Sequence, residues 1–120
     1  MFGLFTKEPE NLPGSAEANM AVRRELELHG DTMTAQRLVI HYAYPVAEGA
    51  KTRQRQIEAI LRKDSFKVEN SGHKDGISFA KQQYVHDTAF DRLTEQLQAS
   101  LHAIGWHYDG WESAVVVDRR

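Results

Sequence analysis

The 120-residue sequence contains no cysteine, which excludes disulfides, thiolate metal sites and a cysteine nucleophile and suits a reducing cytosol. Long apolar runs are missing too. Met1-Phe2-Gly3-Leu4-Phe5 is broken by Lys7 and Glu8, short of the apolar stretch of a signal peptide, and nothing later approaches the ~20 apolar residues of a membrane span. No charge of one sign dominates. Fifteen Lys and Arg against 17 Asp and Glu leave a net charge of −2, without the basic surplus that marks a nucleic-acid binder. Proline is sparse: of three, Pro9 and Pro13 fall with Gly14 near the start. Residues 1–14 therefore read as a flexible N-terminal lead and 15–120 as a single domain, cytoplasmic by composition.

Within that domain the patterning is strong. Ser15 is placed to cap a helix reaching about His29, with Glu17 in its first turn, Ala18, Val22 and Leu26 as its inner stripe, and Gly30 as its stop. Such a modestly amphipathic helix belongs at the domain's edge. From Gln36 to Tyr44 the residues alternate, with Leu38, Ile40, Tyr42 and Tyr44 on one face and Arg37, Val39, His41 and Ala43 on the other. This predicts a strand ended by Pro45. Val46 to Asp64 predicts a second helix buried through Ile57, Ile60 and Leu61. Its run of Lys51, Arg53 and Arg55 reads as a solvated face.

Two short strands follow, Ser65–Glu69 and Ile77–Val85, joined by a turn with Gly72 and Gly76, hence an antiparallel hairpin. Asp87 or Thr88 then caps the best-patterned helix, on which Phe90, Leu93, Leu97, Leu101 and Ile104 form one face. Gly105 ends it. A cluster holding both tryptophans, Trp106-His107-Tyr108-Asp109-Gly110-Trp111, reads as the corner into a last strand, Ser113–Val117. Set after the first helix, the order strand-helix-strand-strand-helix-strand is the α+β, ferredoxin-like split βαβ arrangement: a four-stranded antiparallel sheet with two helices on one face.

Gly30-Asp31, the strand Arg37-Leu38-Val39-Ile40-His41-Tyr42-Ala43-Tyr44, and above all Tyr108-Asp109-Gly110-Trp111-Glu112 resemble the regulator of ribonuclease E activity B family, over roughly residues 17–117. The motif residues are Gly30, Asp31, Arg37, His41, Tyr108, Asp109, Gly110 and Trp111. The resemblance implies a ferredoxin-like fold and a non-catalytic protein that binds ribonuclease E and modulates RNA turnover. The chain departs from that pattern in its near-neutral charge, where the best-known members look strongly acidic with a long Asp/Glu-rich tail, and in Pro45 where the family tends to have an aromatic.

For chemistry, the six histidines offer no HExxH and no i, i+4 pair with an acid between. There is no Gly-rich phosphate loop or flanked Ser/Thr nucleophile, and nothing points to a metal or cofactor. One set merits a catalytic or small-ligand reading: His41, Arg37 and Asp109, should the first strand and the aromatic corner meet. The competing reading makes Asp109 a turn residue and Arg37 its packing partner. Direct RNA binding across the open sheet face is disfavoured, because Ile77–Tyr84 lacks the glycine and aromatics of an RNA-recognition strand. For a protein partner, Trp106, Tyr108 and Glu112 are the expected surface residues, with Trp111 in the core.

Overall fold

The computed structural model describes residues 12–117. The apolar tip, most of the lead and the charged end Asp118-Arg119-Arg120 lie outside them. Helix α1 (Ala16–Leu28) begins where Ser15 Oγ accepts the Ala18 amide at 3.1 Å. It ends in a Schellman motif: Gly30, at φ +89°, donates to Glu27 O and Asp31 to Leu26 O. Strand β1 (Arg37–Pro45) follows, then a 3₁₀ turn (Ala50–Arg53) running into α2 (Gln54–Lys63), and strands β2 (Lys67–Asn70) and β3 (Ile77–Gln83). Helix α3 (Thr88–Ala103), capped by Asp87 accepting the Phe90 amide at 2.9 Å, and strand β4 (Trp106–Glu112) complete the chain.

The sheet order β2-β3-β1-β4, antiparallel throughout, is the ferredoxin-like topology predicted from the sequence. One hydrophobic cluster lies under α2 and the β2–β3 hairpin, centred on Ile77, Phe79, Phe66, Ile57 and Trp106. A second joins α1 to α3 through Leu26, Val39, Val85, Phe90 and Trp111. Within the hairpin turn, a Cβ on Gly76 would collide with the Ala43 carbonyl of β1, so only glycine allows this approach.

Several expectations need correction. The second helix starts later, because Val46–Gly49 is a turn. Val46 and Ala47 both donate to Gly105 O, tying this turn to the end of α3. Ile60 is 61% exposed: α2 buries a stripe through Ile57 and Leu61, and residue 60 sits off that stripe by most of a turn's quarter. The last strand is the aromatic stretch itself, whereas Ser113–Val117 is extended but outside the sheet ladder. Within β4 the pairing skips from Trp111 opposite His41 to Tyr108 opposite Ala43, so Asp109 and Gly110 share one partner position as a β-bulge, with Gly110 at φ +97°.

The faces of β1 are also assigned by the structure. The strand turns Arg37, Val39, His41 and Ala43 toward the helices and leaves the more apolar Leu38, Ile40, Tyr42 and Tyr44 on the open side. The described end of the lead is held down: Gly14 is buried, its carbonyl accepting from Thr94 Oγ1 at 2.8 Å.

Candidate functional site

Five of the motif residues, Asp31, Arg37, His41, Tyr108 and Trp111, fall into three buried polar clusters, each bonding segments far apart in sequence. The first is an ion pair. Arg37 Nη1 and Nη2 donate to Asp31 Oδ1 and Oδ2 at 2.7 and 2.9 Å, the planar fork matching the carboxylate, and Arg37 Nε reaches Ala35 O. Both side chains are essentially inaccessible. Asp31 also accepts the amides of Met33 (2.8 Å) and Val116 (2.7 Å), so one carboxylate gathers the α1–β1 loop, β1 and the C-terminal segment. Burial by itself would raise its pKa, but the Arg37 guanidinium and the two amides outweigh it and hold the carboxyl well below the usual range.

His86 lies beside this pair with Nε2 3.3 Å from Asp31 Oδ2, yet neither of its ring nitrogens makes an aligned hydrogen bond among the described residues. Burial, with Arg37 nearby, lowers its pKa.

His41 centres the second cluster. Its side chain is fully buried, stacked on Phe79 at 5.1 Å between ring centroids and edge-on to Phe66. Nε2 lies 2.8 Å from Gln83 Oε1, which can only accept. Nδ1 is then left to accept from the Tyr108 hydroxyl at 2.8 Å. That pattern is complete for a neutral imidazole, and burial pulls the pKa down to about 4 while pushing that of Tyr108 well above the phenolic range.

The third cluster fastens α1. Trp111 Nε1 donates to Asn19 Oδ1 at 2.8 Å, and Asn19 Nδ2 donates to Asp91 Oδ1 and Thr94 Oγ1 at 2.8 and 2.9 Å. Arg23 adds a bond to Asp91 at 2.8 Å and one to Val85 O at 2.6 Å. Asn19 was not anticipated from the sequence, since it falls beside the apolar stripe of α1. The one available signal is an asparagine, not an apolar residue, one position past Ala18 on a helix that must pack near a tryptophan.

The set His41, Arg37 and Asp109 is therefore not brought together as a site. Arg37 is committed to Asp31 and His41 to Tyr108 and Gln83, while Asp109 points to solvent near His107 (3.6 Å). The expected partner surface is corrected as well. Trp106 is 0% and Tyr108 1% exposed, because β4 turns alternate side chains into the core and Trp106 Nε1 donates to Ala50 O at 2.8 Å. Glu112, the third of that set, is exposed, and Trp111 is buried as expected.

What the fold leaves accessible is the open sheet face. Its apolar side chains are Leu38, Ile40, Tyr42 and Tyr44 on β1, beside Ser78, Ala80 and Gln82 on β3. Tyr42 donates to Glu112 Oε2 at 2.6 Å; that bond, helped by burial, moves its pKa up to about 12. Tyr44 is engaged by Lys74 over its ring and by His73 and His107. Phe79, the aromatic of the third strand, faces the helices and offers nothing to a base on the open side. No helix among the described residues is long and apolar enough to cross a membrane.

No curated protein matches the chain at a significant level. A family model does match, over residues 16–113, from the first turn of α1 to just past β4, and it covers all three polar clusters except the contribution of Val116. The chain belongs to the RraB family, regulator of ribonuclease activity B.

Proposed function

We propose that this protein is a non-catalytic, cytosolic regulator that binds ribonuclease E and modulates RNA turnover. The observation that carries this reading is the family match across essentially the whole domain. The structure supports its non-catalytic side. Arg37 and His41, the two members of the suspected catalytic set that lie on β1, are inaccessible and hydrogen-bonded to fold partners, and the third, Asp109, lies apart from them at the surface. A near-neutral chain in which Tyr42 and Tyr44, the aromatics of β1 on the open sheet face, are engaged by Glu112 and Lys74 favours a protein partner over RNA.

The test is affinity capture of the tagged protein from lysate of the native organism, with and without nuclease treatment. Recovery of ribonuclease E that survives RNA digestion is the expected result. Recovery that vanishes on digestion would assign the contact to RNA, and absence of the nuclease from both captures would remove it as the partner. A purified pair should then show slower cleavage of a model RNA as the regulator is added.

A further inference from the structure

The C-terminal segment does more than end the chain. Leaving β4 at Glu112, it runs outside the ladder, and Asp31 and Thr32 clasp it: Val116 N donates to Asp31 Oδ1 and Thr32 N to Val116 O, both at 2.7 Å. Held there, it forms a wall beside the open sheet face. Between wall and sheet lies a groove of about 540 Å³, floored by Leu38, Ile40 and Gln82 and bounded by Glu112, Ala114 and Val116. Leu38 is 49% exposed, the most accessible aliphatic on the sheet.

Charge within this groove is one-sided. Of the two charged residues that line it among the described residues, Arg37 is neutralised by its bidentate bond to buried Asp31. Glu112 is left as the net charge, its carboxylate fixed at the groove's rim by the Tyr42 hydroxyl. A fixed carboxylate next to an apolar trough repels phosphate and attracts a cation. The trough has room for a large aliphatic side chain with neighbouring backbone, the combination that anchors extended peptides on sheet surfaces.

We infer that the groove between β1 and the C-terminal segment is a docking site for an extended polypeptide that presents an aliphatic side chain with a lysine or arginine beside it. Glu112 takes the cation, and Leu38 and Ile40 take the aliphatic group. This rests on the reading that the protein acts by binding a protein, and it locates the contact on that protein's surface. It also gives the buried Asp31–Arg37 pair a part in recognition, since that pair cancels the groove's positive charge and holds up its wall.

The groove is tested separately from the identity of the partner. The ¹⁵N-labelled full chain is titrated with the blocked peptide Ala-Leu-Ala-Arg-Ala and with an analogue carrying Glu for Arg. Saturable shifts confined to the amides of Leu38, Ile40, Glu112 and Val116 are expected with the first peptide and not the second, and Glu112→Lys should abolish them. Shifts that scatter over the surface, or that persist unchanged in Glu112→Lys, overturn the assignment.

In parallel, purified ribonuclease E is bound to wild type, Leu38→Glu, Glu112→Lys and, as a control on α3, Glu95→Lys, each first shown to melt as a folded protein. Weakening of tenfold or more is expected for the two groove variants and less than twofold for the control. If wild type fails to bind the nuclease while the peptide still fills the groove, the ribonuclease E reading falls and the groove stands. If the nuclease binds all four proteins equally, the nuclease reading survives and the groove is overturned as its docking site.

Discussion

At the residue scale, the polar side chains that look most like chemistry hold the fold together. An arginine and a histidine on a strand suggest reactivity because such groups are rarely buried without cause. Here each polar nitrogen of both side chains has a hydrogen-bond partner, which is the condition under which a buried polar group is tolerated. The consequence for mutation is asymmetric: removing one member leaves the other buried and unsatisfied. Asp31→Asn removes the charge facing Arg37 and weakens the clasp on Val116, and should cost about 3–5 kcal/mol in chemical denaturation, the range for breaking a buried pair. A cost below 1 kcal/mol would mean that Arg37 escapes to solvent. Asn19→Leu keeps the branched shape but strands the Trp111 indole N–H and removes the Asn19 bonds to Asp91 and Thr94, leaving Arg23 to hold α1 to Asp91; about 2–3 kcal/mol of destabilisation is expected from a buried unsatisfied donor plus lost bonds. Hydrogen exchange should locate that loss first in α1.

At the element scale, the stretch that identifies the family is a strand with a bulge and not a corner between helix and strand. Its alternation of inward Trp106, Tyr108 and Trp111 with outward His107 and Glu112 is interrupted once, at Asp109-Gly110. The extra residue keeps Tyr108 and Trp111, three apart, both facing the core, where one meets His41 and the other Asn19. Because Gly110 has φ +97° and a Cβ there would meet nothing closer than Pro13 Cβ at 3.7 Å, the penalty for Gly110→Ala is conformational. It should amount to about 1 kcal/mol, read as a drop of several degrees in Tm. Gly76→Ala should be worse, since its methyl would press on the β1 backbone, which cannot rotate away. An unchanged melting temperature for either variant would contradict the geometry of that turn or bulge.

At the scale of the whole molecule, the buried histidines and Asp31 together make stability fall as pH drops below neutrality. His41 has a folded pKa of about 4 against an ordinary 6.5. As pH falls below 6.5 the unfolded chain takes up a proton that the folded protein refuses until near 4, so stability is lost across that window. The slope for this one group approaches about 1.4 kcal/mol per pH unit. His86 is shifted the same way, and Asp31, ordinarily titrating at 3.8 and held far lower when folded, extends the loss below pH 4. Denaturation midpoints measured from neutrality down to pH 4 should therefore fall steadily, with the His41 ring signals showing no protonation by NMR until near pH 4. A flat profile, or a His41 titrating near 6.5, would show that the ring is hydrated.

Periodicity, caps and turn residues by themselves determined the element order, because each is a local property: Ser15 and Asp87 caps, the Gly30 and Gly105 stops, the alternation in β1 and the apolar stripe of α3 need no knowledge of the rest of the chain. With two helices and a four-stranded order, the ferredoxin-like topology followed. Only the tertiary structure decided which face of β1 is inside, and it chose the side with Arg37 and His41. Alternation reports that two faces exist, but the inner one depends on partners such as Asp31, Gln83 and Tyr108, whose contacts cross 6, 42 and 67 positions of sequence. The same non-local bonds account for the other differences: Asn19 is inside because Trp111 needs an acceptor, and Trp106 is inside because Ala50 offers one. Residues 113–117 leave the sheet as Asp31 draws the chain aside, and so the most apolar surface of the first strand is left open to a partner.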